Sequence, residues 1–305
     1  MKTILVTGCS SGLGLAIAVK AAQSGFAVYA TMRDLNKRAA LDTAIQQAGI
    51  EMEVRRLDVQ DGDTIDTCLQ EIIDAHGRID TLVNNAGAGY VRTTEQSTEE
   101  DVAWIMDVNF HGIVRTTKAA LPYMRAARTG HIINITSVGG LVGQPFNEFY
   151  CAAKFAVEGY TEALSTYITP AFGVNFSCIE PGGITSEFAN SALAHFAKTG
   201  GMIDDEYRPV LEKYIGEAQA RSKMAESGEG TPVYQTAEQV ADVVMACATS
   251  PSPPLRQRTS PWAEEICALK THADPDGTKL QAQVIERFLG DVSNFKKEGS
   301  PSVEM

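Results

Sequence analysis

Short unbroken apolar runs alternate with amphipathic stretches along most of this chain. Ile4-Leu5-Val6 is apolar throughout, as a strand covered on both faces of a parallel sheet must be. An apolar-periodic helix follows to about Ser24, then a second run, Phe26 to Thr31. The pattern repeats with a helix over about Leu35 to Ala48, a strand over Met52 to Leu57, a helix over about Asp61 to His76 and a strand over Thr81 to Val83. Two helical patterns, about Thr98 to Phe110 and Gly112 to Arg128, precede a fifth strand, His131 to Thr136. A long helix from Phe149 to Ala171 leads into a sixth strand, Val174 to Ile179. Strands alternating with helices predict an α/β fold, a doubly wound parallel sheet, with ligands at the carboxyl ends of the strands.

The pattern changes after Ser186. The segment from Glu187 to Tyr234 is a long insert carrying Phe188, Phe196, Met202, Tyr207, Leu211, Tyr214 and Met224. Their helical spacing suits core positions; as an apolar lid they also suit a hydrophobic ketone, because small-molecule pockets are mostly apolar. A helix over about Glu238 to Thr249, a last edge strand over Leu255 to Thr259 and an amphipathic helix over about Thr278 to Leu289 complete the expected elements. Ser293 to Met305 is polar and rich in Gly, Ser and Pro, and is expected to be disordered. The expected organisation is one domain over residues 1–260, with a helical substrate lid at about 187–235, and a C-terminal helical extension over 261–305.

Composition narrows the function classes. The 305 residues are 44% hydrophobic and 21% charged, ordinary for a globular protein with a sizeable core. A net charge of −12 argues against nucleic acid or an anionic membrane as partner. Cys9, Cys68, Cys151, Cys178, Cys247 and Cys267 are scattered, with no Cys-x-x-Cys pair. That pattern suits reduced thiols in a cytoplasmic protein. The five histidines show no His-x-x-x-His spacing, so no metal is expected. The chain enters a strand almost at once, so no leader is expected, and no apolar run is long enough to span a bilayer.

The candidate chemistry sits at strand ends. Thr7-Gly8-Cys9-Ser10-Ser11-Gly12-Leu13-Gly14 joins the first strand to the first helix. Glycines there allow a tight turn and close backbone approach, and the helix N-terminus offers N–H groups to a pyrophosphate. After the second strand an acid reads a ribose 2′-hydroxyl, whereas an arginine accommodates a 2′-phosphate. Met32 and Arg33 stand there, which favours NADP(H), and Ser11 can add a hydrogen bond to the phosphate. Asp34 lies near the spacing of an NAD-type acid; as a preferred cap residue it also suits the start of the next helix. Asp58 follows the third strand, where it can meet the adenine edge. Asn84-Asn85-Ala86-Gly87 follows the fourth; its small residues can sit beside a cofactor and its asparagines can tie neighbouring strands, or it is a plain turn.

Ser137 follows the fifth strand, Tyr150 comes thirteen residues later (150 − 137) and Lys154 four after that. On a helix, Tyr150 and Lys154 project from one face about a turn apart. A nearby lysine cation favours the phenolate and is expected to lower the tyrosine pKa, tuning a general acid and base for a carbonyl or alcohol. Ser137 can hydrogen-bond the same substrate oxygen. Asn109, polar within an apolar helical pattern, either satisfies a buried backbone group or holds a water feeding protons to Lys154. Glu180-Pro181-Gly182-Gly183-Ile184-Thr185-Ser186 is placed to close over the nicotinamide end.

Taken together, Thr7-Gly8-x-x-x-Gly12-x-Gly14, Asn84-Asn85-Ala86-Gly87, Asn109, Ser137, Tyr150-x-x-x-Lys154 and Pro181-Gly182 stand in the order and spacing of a known family. Over about its first 190 residues the chain resembles a compact-type short-chain dehydrogenase/reductase, in particular its hydroxysteroid and retinol dehydrogenase-like members. The resemblance implies a Rossmann fold and hydride transfer between nicotinamide and a carbonyl carbon. It implies Tyr150 as proton donor, Lys154 as its tuner and ribose ligand, Ser137 polarising the carbonyl and Asn109 in a proton relay. It implies NADP(H) contacts from Gly8, Ser10, Ser11, Gly12, Leu13 and Gly14, from Arg33, Asp58, Val59, Asn85, Ala86 and Gly87, and from Pro181, Gly182, Ile184 and Ser186. Ser186 stands where the family often has threonine, so the hydroxyl is kept. A homodimer or homotetramer is also implied, and the Ala/Leu-rich helices at Gly112 to Arg128 and Phe149 to Ala171 are candidate interfaces. The expected activity is NADPH-dependent reduction of a fairly large apolar ketone or aldehyde, or the reverse alcohol oxidation. An NAD-linked alcohol dehydrogenase using Asp34 and a non-catalytic NADP sensor are the alternatives.

Overall fold

A computed structural model describes residues 1–185, 187–227 and 233–289. Ser186 and the end from Ser293 to Met305 lie outside the described residues. The strands are β1 (Thr3–Val6), β2 (Ala27–Met32), β3 (Glu53–Arg56), β4 (Thr81–Asn84), β5 (Gly130–Ile135), β6 (Val174–Glu180), β7 (Gly183–Thr185), β8 (Tyr234–Thr236) and β9 (Arg256–Arg258). The helices are α1 (Gly12–Gln23), α2 (Ala39–Ala48), α3 (Gly62–His76), α4 (Glu99–Met106), α5 (Gly112–Ala127), α6 (Glu148–Phe172), α7 (Glu187–Lys198), α8 (Arg208–Ser227), α9 (Ala237–Thr249), α10 (Pro261–Thr271) and α11 (Thr278–Leu289).

Seven strands form one parallel sheet in the order β3-β2-β1-β4-β5-β6-β9. The order reverses at β1, which lies between β2 and β4. A ligand crevice opens at such a switch point. Alternation within each apolar run sends side chains to two cores. Ile4, Val6, Val28, Ala30, Val83, Ile133 and Ile135 join residues of α1 and α9 on one face. Leu5, Tyr29, Leu82, Ile132 and Phe176 join residues of α3, α5 and α6 on the other. Each fully buried Leu or Ile contributes about 1.5–3 kcal/mol, so both faces of the sheet are held. All six cysteines are free and buried within this framework.

Helix starts follow their caps. Thr98 and Asp101 form a reciprocal capping box at α4, and Thr236 with Gln239 does the same at α9. Asp34 accepts from Asn36 N at 3.0 Å and caps a short 3-10 turn, Leu35–Lys37, ahead of α2. The two helical patterns expected over Thr98 to Phe110 and Gly112 to Arg128 are one continuous rod. A five-residue π-helical segment, Asp107–His111, joins α4 to α5. The last edge strand is present as β9, beside β6. Two elements went unforeseen. β7 and β8 pair in parallel as a separate ribbon at the foot of the insert. Helix α10 begins at Ser260, whose hydroxyl accepts from Ala263 N at 3.1 Å, with Pro261 in its first turn. Arg256 bonds Glu158 at 3.0 Å and Glu162 at 2.6 Å, and Arg258 bonds Glu180 at 3.1 Å and Glu264 at 2.9 Å. These pairs tie β9 and α10 to α6 and β6.

Candidate active site

The crevice at the β1–β4 switch is built by close backbone contact. Thr7 Oγ1 accepts from Asn85 N at 3.0 Å and from Ala86 N at 2.9 Å. The Asn85 amide donates back to Thr7 O at 2.8 Å and to Gly8 O at 3.2 Å. Gly8 has φ +74°, and a Cβ there would lie 2.9 Å from Ala86 Cα. A Cβ on Gly14 would drive into Gly8 O and the Asn85 amide. Only glycine fits either position. Ser11, at the N-cap of α1, is extended and its side chain makes no cap bond; the first turn holds no acid. The first N–H groups of a helix have no intrahelical partner, and here no capping side chain takes them. The turn therefore fits a pyrophosphate. Leu13 is buried in the core, so only its backbone N–H can serve a ligand. Ser10 is half-buried in the same turn.

The edges of the crevice follow. Arg33 is exposed just past β2, while Asp34 is engaged as a cap. Asp58 accepts from Gln60 N at 3.0 Å, and Val59 is buried against Gly112. The asparagines after β4 do tie strands: Asn84 Nδ2 donates to Asn134 Oδ1 on β5 at 2.9 Å, and Thr116 Oγ1 donates to Asn84 Oδ1 at 2.7 Å. Pro181 O accepts from Val138 N at 2.9 Å, which joins the loop after β6 to the turn after β5. Gly182 lies beneath Trp262 of α10, where a Cβ would meet the indole at 2.9 Å. Ile184, in β7, packs against the core shared by α1 and α9.

Asn109 lies inside the π-helical segment, fully buried. Such bulges recur at functional sites. Its Nδ2 donates to Ala88 O at 3.0 Å and Ile105 O at 3.1 Å, and its Oδ1 accepts from Ala88 N at 3.1 Å. The side chain thus fixes the loop after Gly87, where a Cβ would meet Asn109 Oδ1 at 2.9 Å and Lys154 Nζ at 3.8 Å. Of the two readings of this residue, the hydrogen bonds match the backbone-satisfying one.

Ser137, extended at the end of β5, accepts from Gly139 N at 3.0 Å and starts a short 3-10 turn. Tyr150 and Lys154 occupy the first two turns of α6. The Ser137 hydroxyl is within hydrogen-bonding reach of the Tyr150 phenol. Lys154 is 4% exposed; its ammonium donates to Ile135 O at 2.9 Å and stands 5.7 Å from the Tyr150 ring centre. The three side chains converge as the spacing predicted. The expected direction of the tyrosine pKa, however, is reversed. Burial pushes Tyr150 up to about 12, against a smaller lowering by Ser137. The ammonium is directed at a carbonyl, not at the phenol oxygen, and burial outweighs it. Burial also lowers Lys154 to about 8, with Glu158 opposing. At neutral pH the phenol is therefore protonated and the ammonium largely charged.

Residues from the insert and from an unassigned loop join the site. Phe188 of α7 sets its ring 5.9 Å from that of Tyr150. Arg92 and Trp262 carried no sequence signal beyond their residue types. Ser260-Pro261 marked the start of α10, and hence the position of Trp262.

A glycine turn at a strand switch point, with a phenol near a hydroxyl and an ammonium, suits oxidoreductases of alcohol and ketone groups. The family model described as short chain dehydrogenase matches residues 2–195, and the chain belongs to that family. It is 38% identical to retinol dehydrogenase 8 of Bos taurus over 283 residues, covering 91% of this chain and 87% of the relative. It is 34% identical to human 17-beta-hydroxysteroid dehydrogenase type 1 over 295 residues, covering 95% and 86%. A short-chain dehydrogenase from Streptomyces avermitilis superposes with a TM-score of 0.71 at 28% identity, covering 94% of this chain and 97% of that one. An actinorhodin polyketide ketoreductase variant with NADPH superposes with a TM-score of 0.68 at 26% identity, covering 85% and 96%. No described helix is long and apolar enough to cross a membrane.

Proposed function

We propose that this chain is an NADPH-dependent reductase of fairly large apolar ketones or aldehydes, also able to run the reverse alcohol oxidation. The observation that carries the reading is the placement of Tyr150: its phenol lies within reach of the Ser137 hydroxyl, and its ring centre is 5.7 Å from the buried Lys154 ammonium. A reduced nicotinamide cofactor whose pyrophosphate is held at the glycine turn would supply the hydride. Ser137 holds and polarises the carbonyl oxygen. Tyr150 Oη gives its proton to that oxygen as negative charge develops, which converts the carbonyl to an alcohol. The positive charge of Lys154, 5.7 Å from the ring centre, favours the phenolate left behind. Asn109 acts one layer out, holding the Ala88 backbone and so the loop bearing Gly87. The apolar side chains of the insert, Phe188 first among them, supply the wall for an apolar substrate.

Preference for NADPH is supported by the pairing after β2, an exposed Arg33 beside an acid already bonded to Asn36. The actinorhodin ketoreductase was solved with NADPH, which agrees with it. Retinol and hydroxysteroid dehydrogenases among the relatives favour a large apolar substrate.

The test follows NADPH absorbance against a carbonyl panel running from small aldehydes to steroids. Tyr150→Phe should lower kcat by roughly 10²–10⁴-fold, the usual worth of a general acid, and leave NADPH binding intact. Activity that survives this substitution unchanged removes the reading. Arg33→Ala should raise the NADPH KM by about tenfold or more, as loss of a charged hydrogen bond does, with NADH unaffected; an unchanged ratio of the two cofactors removes the NADPH preference.

A further inference from the structure

Arg92 is the largest fully buried side chain among the described residues, 1% exposed. It lies in the loop between β4 and α4, and the chemistry above does not use it. A buried guanidinium must place its N–H groups on acceptors, because an unpaired buried charge costs several kcal/mol. Arg92 places those of its two terminal nitrogens at the end of α7, while its buried Nε has no partner among the described residues. Nη2 donates to Phe196 O at 3.2 Å, Thr199 O at 3.1 Å and Thr199 Oγ1 at 3.0 Å, and Nη1 donates to Gly201 O at 3.4 Å. The guanidinium also lies 4.9 Å from the centre of the Phe196 ring. Carbonyls at a helix C-terminus lack intrahelical partners and carry partial negative charge, so a cation is favoured there. This cation closes the end of one particular helix.

That helix is the wall of the active site. Phe188, in its first turn, faces Tyr150, and Ala192 presses on Gly89, where a Cβ would meet the Ala192 methyl at 2.8 Å. His195 stacks on Trp104 at 4.6 Å. Arg92 also reaches toward the catalytic loop, its backbone N–H donating to Phe146 O at 2.9 Å. Phe146 holds φ +61°, an unusual conformation for a non-glycine residue, four positions before Tyr150. One residue thus joins the loop that precedes the phenol to the far end of the helix that covers it. From Phe188 to Lys198 the helix is a lever of about 15 Å, so a tilt of about 10° at the clamped end moves Phe188 by roughly 3 Å. That displacement is close to the size of a methylene or two of substrate.

We infer that Arg92 is a specificity-determining positioning residue: by clamping the C-terminus of α7 it sets the clearance between Phe188 and Tyr150, and so the bulk of the carbonyl compound admitted. The inference deepens the reductase reading and rests on it.

The full chain is compared with Arg92→Met, which keeps the stem and removes the fork, and with Arg92→Lys, which keeps the charge. Two readouts are taken: hydrogen exchange along the chain, and kcat/KM for a small aldehyde against a bulky apolar ketone. In Arg92→Met the amides of α7 should exchange about tenfold faster or more, since charge-assisted bonds are lost, while β1, β4, β5 and β6 keep their protection. The ratio of kcat/KM for the bulky ketone to that for the small aldehyde should shift about tenfold, with the NADPH KM unchanged. Arg92→Lys should fall between the two, and it carries the test if Arg92→Met does not fold. Faster exchange everywhere, no change at α7, or equal losses on both carbonyls overturns the inference. A wild-type chain that reduces no carbonyl overturns the reductase reading; the clamp itself is then decided by the exchange pattern.

Discussion

The floor of the site and its lid are held by different means. The floor, at the carboxyl ends of β1, β4 and β5, is fixed by backbone pairing and by glycines pressed against neighbouring backbone at Gly8 and Gly14. Its polar side chains, Thr7, Asn84, Asn85 and Asn109, are all engaged by other protein groups. The lid joins no strand of the main sheet. Among the described residues, helix α7 is attached by ring contacts, one pressed methyl, the approach of His195 to Asp101 at 3.6 Å and the fork of Arg92. Chemistry that tolerates little displacement is placed where many backbone bonds would have to break together. The selectivity proposed above falls on a part held by a few side chains, where change costs little of the fold.

Three experiments bear on this contrast. The largest effect is expected from Gly14→Ala on the floor. The added methyl collides with Gly8 O and the Asn85 amide, and overpacking of this kind costs about 1–3 kcal/mol. Thermal unfolding should show a lower Tm, and NADPH titration should show binding lost; a variant with unaltered binding would mean that the turn has slack.

A second effect, reversible and leaving cofactor binding in place, comes from pH. Lys154 is lowered from 10.5 to about 8. Between those values the unfolded chain keeps a proton that the folded chain has released, so stability rises with pH across that window, by up to about 3 kcal/mol. Activity runs the other way. As the ammonium loses its charge above about 8, kcat/KM for reduction should fall about tenfold per pH unit. Denaturant midpoints and a pH–rate profile on the same samples check both signs, and a rate that climbs above pH 8 contradicts the role given to Lys154. The smallest effect is on the lid. Phe188 is 42% exposed, so Phe188→Ala should leave the unfolding free energy within about 0.5 kcal/mol of wild type. The KM for a bulky ketone should rise several-fold and that for a small aldehyde should not; equal changes would place Phe188 outside the substrate wall.

Much of the floor was legible in the residue order. An unbroken apolar run marks β1, shorter or interrupted apolar runs mark β4 and β6, and the glycine turn and Tyr150-x-x-x-Lys154 can be placed because their flanking elements are evident. The lid was less legible, for physical reasons. Three-residue strands such as β7 and β8 are too short to show a period. Arg92 sits in the polar run Tyr90-Val-Arg-Thr-Thr-Glu95, where nothing local distinguishes a buried guanidinium from a solvated one; its burial depends on a helix a hundred residues away. The π-helical segment at Asn109 changes the hydrogen-bond ladder and leaves the apolar spacing nearly intact, so it read as a break between helices. The tyrosine pKa was misjudged because spacing reveals a neighbouring charge and not the depth at which both groups lie.

The burial of the thiols has its own consequence. Cys9, Cys68 and Cys267 are each pushed up to about 12 by burial, and Cys151, beside the catalytic phenol, is raised as well. Thiolate is the form that electrophiles attack, and at physiological pH these sulfurs hold almost none of it. An alkylating reagent that reaches them at neutral pH therefore reports opening of the fold around them.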